Sequence, residues 1–304
     1  MNKIAISGMT GFLGSRVAES FRQLGWEIVP LKRSDFSEIG TSELASWLEG
    51  CSVVIHLAGA PIDRRWTRAY KATLRSSRIL TTRALVKAMD KMAVKPALFL
   101  CASAVGIYPL QGGPCSESDF SVEKLADSLP TKSGAVSFLS RLCVDWEQEA
   151  NRSPQPVRVV NLRLGVVLSE SGGAFAQMSM PLRLGYGFAA QVGDSAEPFA
   201  WVHLEDLLRA VHFITDHPQI SGPVNVVAPH HGTQGAFARA LTTAFGRRWV
   251  VPVPSFVLYL LYGSGASVLT RGREVLPARL LEAGFRFGYA DPLSATQALS
   301  GKWK

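Results

Sequence analysis

The opening of the chain constrains its fold most. Lys3-Ile4-Ala5-Ile6-Ser7 is a short apolar run that reads as a strand. Gly8-Met9-Thr10-Gly11-Phe12-Leu13-Gly14 follows at once. Ser15 to Leu24 then carries a helical pattern, with Val17, Ala18, Phe21 and Leu24 on or near one face. Strand, glycine-rich turn and helix in that order make the phosphate-binding corner of a nucleotide-binding α/β fold. The first glycine turns the chain off the strand, the second lets backbone N–H groups approach a pyrophosphate, and the third lets helix pack on sheet. The helix N-terminus offers unpaired N–H groups and a partial positive charge to the anion. Gly8, Thr10, Gly11, Phe12, Leu13 and Gly14 are therefore candidate cofactor contacts.

A second strand, Glu27 to Leu31, ends in Lys32-Arg33-Ser34. In a dinucleotide fold the tip of this strand meets the adenosine ribose, and an acidic residue there selects NAD. Here the tip is basic, with Arg33 lying 19 residues after Gly14. A guanidinium at this place pairs with a 2′-phosphate through charge-assisted hydrogen bonds. Lys32 and Arg33 thus point to NADP, and neighbouring Asp35 keeps NAD open as the alternative.

Further apolar runs read as buried strands, each followed by small or polar residues. Cys51 to Leu57 leads into Ala58-Gly59-Ala60-Pro61, where Leu57, Ala58 and Gly59 let the chain pass close beneath a cofactor. Within that run His56 reads as a satisfied core histidine. Pro96 to Cys101 leads into Ala102-Ser103-Ala104, and Val157 to Leu162 into Arg163-Leu164-Gly165. Ligands of open α/β sheets gather at such carboxyl ends, which makes Ala102, Arg163, Leu164 and Gly165 candidate contacts. Ser103, and Tyr108 on the following loop, are the candidate catalytic hydroxyls.

Arg64, Arg68, Lys71, Arg75 and Arg78 recur at helical spacing and would share one narrow face, with Trp66, Tyr70 and Leu74 on the other side. Such a stripe is either a solvated face or a site for a phosphate-bearing substrate, a cofactor or a partner surface, and Arg64 and Trp66 at its head are the candidate contacts for a small anionic substrate. No nucleic-acid reading motif accompanies it. Pro109 to Ser133 reads as a long loop with room for a short helix. The adjacent His230-His231 pair has no third ligand at metal spacing, so no metal is expected.

With 304 residues, 47% hydrophobic and 18% charged, the chain can bury a large core and is not disordered. The net charge of +8 favours anionic ligands. Cysteines 51, 101, 115 and 143 form no C-x-x-C pair and are expected to be reduced thiols of a cytoplasmic protein. The opening strand leaves no signal segment, and Phe256 to Tyr262 is far short of the roughly 20 residues that span a bilayer. No membrane partner is expected, and the chain is read as a monomer or homodimer. The expected architecture is α/β, a doubly wound parallel sheet (Rossmann) over residues 1–228, with 172–200 an excursion towards the ligand. A smaller C-terminal α+β lobe follows over 229–304.

Gly8-x-x-Gly11-x-x-Gly14, Arg163-Leu164-Gly165 and Trp201-Val202-His203-Leu204-Glu205-Asp206 resemble the extended short-chain dehydrogenase/reductases. More narrowly, the chain resembles their atypical NAD(P)-dependent epimerase/dehydratase-like, or sugar-nucleotide epimerase-like, branch. The narrower likeness rests on His56 to Ile62, Arg64-Arg65-Trp66-Thr67, Ser103-Ala104-Val105-Gly106, Asp145-Trp146-Glu147 and Leu276 to Phe285. The resemblance implies a bound nicotinamide dinucleotide and an epimerase or oxidoreductase acting on a small substrate such as a nucleotide sugar. It also implies a Ser or Thr after the fourth strand, where Ser103 stands, and a Tyr-x-x-x-Lys pair on the next helix. Registering Glu147 with the acidic residue four past that Lys puts Leu139 at the Tyr position and Cys143 at the Lys position. Tyr108 or Cys143 could then supply the proton, or the chain could bind NADP(H) in a regulatory or sensing role without turnover.

Overall fold

The computed structural model describes residues 2–36, 40–110, 112–128 and 135–301. Strand and helix alternate through the first half: β1 (Lys3–Ser7), α1 (Phe12–Gln23), β2 (Glu27–Leu31), α2 (Thr41–Leu48), β3 (Val53–His56), α3 (Arg68–Lys91) and β4 (Leu98–Ala104). After these come α4 (Val122–Ser128), α5 (Ala135–Ala150) and β5 (Arg158–Leu164). The elements then shorten: β6 (Val166–Ser169), α6 (Gly173–Arg183), β7 (Phe188–Gln191), β8 (Trp201–His203), α7 (Leu204–Asp216) and β9 (Gly222–Val226). The end of the chain holds α8 (Gln234–Ala244), β10 (Trp249–Pro252), α9 (Ser255–Tyr262), α10 (Ala266–Thr270), α11 (Ala278–Glu282) and α12 (Pro292–Ser300).

Six strands form one parallel sheet in the order β2-β1-β3-β4-β5-β9. Side chains alternate faces along each strand. Ile4, Ile6, Val53, Ile55, Leu98 and Leu100 therefore pack with Val17 and Phe21 of α1 and Leu207 and Val211 of α7. Ala5, Val54, Phe99 and Cys101 face the other way, against Leu44 of α2, Leu85 and Met89 of α3 and Val144 of α5. Both faces are covered, which is why these strands read as continuous apolar runs rather than alternating ones. Full burial of each such side chain stabilises by roughly 1.5–3 kcal/mol. The chain leaves β1 for β2 on one side and returns to β3 on the other. This reversal opens a crevice at the carboxyl ends of β1 and β3, the place where doubly wound sheets bind ligands.

A third core joins residues of the 166–201 stretch, Leu168, Phe175, Met178, Leu182, Ala189 and Trp201, to Phe237, Leu241, Ala295 and Leu299. Two short parallel pairs, β6 with β8 and β7 with β10, brace it.

The basic stripe departs from its expected geometry. Helix α3 starts at Arg68, after the Thr67 hydroxyl caps the N–H of Tyr70 at 3.1 Å, so Arg64 lies outside the helix. Arg75 pairs with Asp145, and Arg78 donates to the Leu74 and Ala60 carbonyls at 3.2 and 3.1 Å. The five cations thus do not form one continuous face. Within the long loop, residues 129–134 lie outside the described residues, and 122–128 form α4.

Candidate cofactor-binding site

The corner after β1 is built without side chains. Gly8 has φ +76°, and a Cβ there would lie 2.8 Å from the Ala58 nitrogen. A Cβ at Gly14 would lie 2.2 Å from the Gly8 carbonyl oxygen, so helix and turn touch backbone to backbone. The Gly11 N–H donates to that same oxygen at 2.9 Å. Gly11 is the N-cap of α1, with no side-chain cap and no acidic residue in the first turn. Thr10, Gly11 and Phe12 are exposed around it, and Leu13 is half-buried. The first N–H groups of a helix left uncapped this way form an anion site. The cradle fits the pyrophosphate of a dinucleotide.

Beneath the corner, Ser7 Oγ and His56 Nδ1 lie 2.5 Å apart, and His56 Nε2 is 3.1 Å from Thr81 Oγ1. Burial, reinforced by the nearby Arg78 cation, pushes His56 down to about 3, so it stays neutral and ties the ends of β1 and β3 together. Leu57 and Ala58 flank Gly8, and Gly59 is exposed at the crevice edge. A Cβ on Gly59 would sit 2.9 Å from Cζ of Arg78, whose guanidinium also covers the Trp146 ring at 5.2 Å. Among the described residues Arg78 has no carboxylate partner. Arg78 thus lies against the chain that follows β3, where the sequence marked it only as one member of a stripe.

At the tip of β2, Lys32 and Arg33 are exposed and, among the described residues, unpaired. Asp35 is turned inward at 6% exposure, accepting from the Lys32 N–H at 2.6 Å and the Ser34 hydroxyl at 3.1 Å. Its carboxylate serves the local turn, which leaves a basic tip. Phe12 packs under Gly172, and Arg16 donates to Ser171 Oγ at 3.1 Å, which brings the start of the 172–200 excursion beside the corner.

The ends of β4 and β5 are closed, and here the structure corrects several expectations. Ser103 donates to Glu147 Oε1 at 2.6 Å and is 3% exposed. Arg163, fully buried, holds the same carboxylate through two hydrogen bonds of 2.9 and 2.8 Å. Its third donor reaches the Tyr108 hydroxyl at 2.8 Å, and that hydroxyl donates to Asn225 Oδ1 at 2.8 Å. Arg163 therefore points into the fold rather than at a cofactor. Tyr108 already accepts from Arg163 and donates to Asn225, so its hydroxyl is engaged inside the fold, and burial pushes it up to about 12. Asn225 continues the network to Glu117 and to the Leu276 carbonyl, so distant loops are tied to the sheet end. Gly165 lies under the Ala200 carbonyl, where a Cβ would come within 2.8 Å, while Leu164 is half-buried and Ala102 buried.

Trp66 is also an anchor rather than a substrate contact. It is 4% exposed, donates from Nε1 to the Ile62 carbonyl at 2.9 Å and stacks edge-on with Phe138. Arg64 remains exposed beside it. Leu139 packs against Gly106, where a Cβ would come within 2.4 Å of it. Cys143 is a core thiol at 1% exposure, and burial pushes it up to about 12. Asp206 accepts from Arg209 and from the Gly288 and Tyr289 N–H groups, each at 2.8 Å, and His203 Nδ1 caps the Glu205 N–H. His231 faces Val275 backbone atoms. Among the described residues no cluster of metal-ligating side chains occurs.

The NAD dependent epimerase/dehydratase family matches residues 4–227, and a domain of unknown function, DUF1731, matches 253–299. The epimerase family protein SDR39U1 of Mus musculus is 33% identical, over 95% of this chain and 96% of that protein. An epimerase family protein of Staphylococcus aureus is 30% identical, over 99% of this chain and 100% of its own length. The crystal structure of human SDR39U1 (isoform 2) with NADPH superposes with a TM-score of 0.83 at 29% identity, covering 98% of this chain and 99% of that one. UDP-N-acetylglucosamine 4-epimerase of Bacillus cereus shares the fold at 18% identity and a TM-score of 0.75, over the full length of both. The chain therefore belongs to the NAD-dependent epimerase/dehydratase family, in an atypical branch that carries its own C-terminal lobe.

Proposed function

We propose that this chain binds NADP(H) in the crevice between β1 and β3 and holds it without the Tyr–Lys proton relay of its family. The carrying observation is the basic tip: Lys32 and Arg33 are exposed while Asp35 is engaged by its own turn. A ribose hydroxyl needs an acceptor at that tip, and a 2′-phosphate needs cations. The uncapped start of α1 would hold the pyrophosphate, and Leu57, Ala58 and Gly59 would pass beneath the rest of the molecule. When bound, NADP(H) supplies hydride chemistry. The polar groups at the ends of β4 and β5 keep that wall rigid, and none of Ser103, Tyr108, Leu139 or Cys143 offers a titrating group to the crevice. This favours a sensing or regulatory role. Four buried thiols suit a reducing compartment such as the cytoplasm.

A second reading is turnover of a small anionic substrate such as a nucleotide sugar, favoured by exposed Arg64, Arg65 and Arg68 at the head of α3. Thermal shift and titration with NADPH and NADH at matched concentration test the first reading. NADPH should stabilise the chain more than NADH. Stabilisation by neither refutes the cofactor, and equal stabilisation refutes the 2′-phosphate contact. Loss of NADPH absorbance over a panel of carbonyl compounds and nucleotide sugars would establish the second reading.

A further inference from the structure

One surface of the molecule is apolar where a folded chain is ordinarily polar. Among the described side chains of α9 only Leu258 is buried, while Phe256, Tyr259, Leu260 and Leu261 are exposed, Phe256 at 72% and Leu260 at 67%. A helix apolar on nearly every side is normally either enclosed by protein or in contact with lipid. The adjoining elements continue the patch. Trp249 of β10 is 75% exposed and sits in register with Phe188 of β7, whose ring is 6.4 Å from that of Tyr186, itself 70% exposed. Val253, between β10 and α9, donates its N–H to the Gln191 carbonyl at 2.8 Å, which fixes the helix to the same edge. Apolar patches of this kind mark contact surfaces.

The charge around the patch narrows the occupant. From His217 to Arg273 there is no Asp or Glu, and there are five arginines. The chain as a whole, with 24 acidic residues in 304, would place four or five in a stretch of that length. The stretch from Ser171 to Gly193, which supplies Tyr186, is also free of acids. Arg247 and Arg248 are exposed immediately before Trp249 and, among the described residues, form no ion pair. Arg65 borders the far end of α9, its Cγ 3.1 Å from where a Cβ on Gly263 would lie.

We propose that the face made by β10, α9 and the turn before β7 docks on an anionic lipid surface, with α9 lying in the headgroup layer. Exposed Leu and Phe insert among acyl chains, Trp and Tyr sit at the interface, and arginines meet lipid phosphates. Eight residues of helix extend about 12 Å, so α9 lies flat and does not cross. The expectation of no membrane partner rested on spanning length, which does not bear on a helix in this position. A second copy of the chain fits poorly. A two-fold contact sets the same patch against itself, bringing arginine towards arginine with no carboxylate from either acid-free stretch. Nucleic acid offers phosphates but nothing to cover Leu260 and Leu261.

The test is co-sedimentation of the full chain with vesicles of phosphatidylcholine alone or mixed with phosphatidylserine, at low and high salt. The chain should bind the anionic vesicles and lose binding as salt rises. Arg247→Glu with Arg248→Glu should weaken it about tenfold or more, and Phe256→Ser with Leu260→Ser should abolish it. Both pairs are exposed, and circular dichroism and thermal unfolding should show them folded as the parent is. Absence of binding to anionic vesicles at low salt overturns the proposal, as does binding insensitive to both variants. Two further outcomes also overturn it: concentration-dependent dimerisation removed by Phe256→Ser, and retention on heparin or polyglutamate without vesicle binding. None of these readouts depends on NADP(H).

Discussion

The glycine corner and the strand-end network lie along the same edge of the same sheet and are built in opposite ways. At the corner the donors are backbone N–H groups, no side chain caps them, and glycines let helix, turn and β3 close to contact distance. At the ends of β4 and β5 the wall is made by side chains that satisfy one another: Ser103 and Arg163 by Glu147, Tyr108 by Arg163 and Asn225. An uncapped helix start gains most from an external anion, whereas a closed buried network gains nothing from a ligand and loses much when one member is removed. The two regions should therefore respond to mutation in different currencies, affinity at the corner and stability at the network.

Glu147→Gln should be the most damaging change. It leaves the Arg163 guanidinium buried without its carboxylate, a loss of about 3–5 kcal/mol, read as a lower urea midpoint. A loss below about 1 kcal/mol would show that the network is not what closes this wall. Gly14→Ala tests the other side. Its Cβ would be forced to within 2.2 Å of the Gly8 oxygen. Affinity for NADPH, measured by titration, should fall by about a hundredfold as the corner shifts, equivalent to roughly 2.7 kcal/mol. Retained affinity would break the comparison at its strongest point.

His56, beneath the corner, gives a pH signature. Its folded value lies near 3 against an ordinary 6.5. Between those values the unfolded chain takes up a proton that the folded chain does not, so stability falls as pH drops from 6.5 towards 3. The slope approaches about 1.4 kcal/mol per pH unit. Parent minus His56→Gln, compared by urea unfolding across that range, should isolate it, and parallel profiles would contradict the buried neutral imidazole. Arg33→Asp should reduce the preference for NADPH over NADH about tenfold, roughly 1.4 kcal/mol, with the urea midpoint unchanged. The smallest effect belongs to Tyr108→Phe. It should cost about 1 kcal/mol of stability and leave NADPH affinity as it was; a selective loss of hydride transfer instead would return the hydroxyl to the chemistry.

Much of the fold was legible because its signals are local. Apolar runs with small residues at their ends became the buried parallel strands, and the spacing of Gly8, Gly11 and Gly14 described a turn whose constraints come from its own backbone and from Ala58. The basic tip was legible for the same reason, since Lys32, Arg33 and Asp35 settle their geometry within one turn. Helix α3 was misjudged at its head because the Thr67 cap, not charge periodicity, decides where it begins. Arg163, Tyr108 and Ser103 were placed in the site because each stands at or near the end of a strand, where ligands gather. Each instead meets a partner remote in sequence: Tyr108 reaches Asn225 across 117 positions, and Ser103 reaches Glu147 across 44.

By itself the sequence determined a doubly wound parallel sheet, a backbone cradle for a dinucleotide and the sign of charge at the tip of β2, because strands, turns and caps follow from neighbours along the chain. Only the tertiary structure decided which polar side chains face the crevice and which lock together behind it. A side chain's type states what it can bond, but its partner is set by elements folded against it. Burial then decides whether that bond is open to a ligand or closed within the protein.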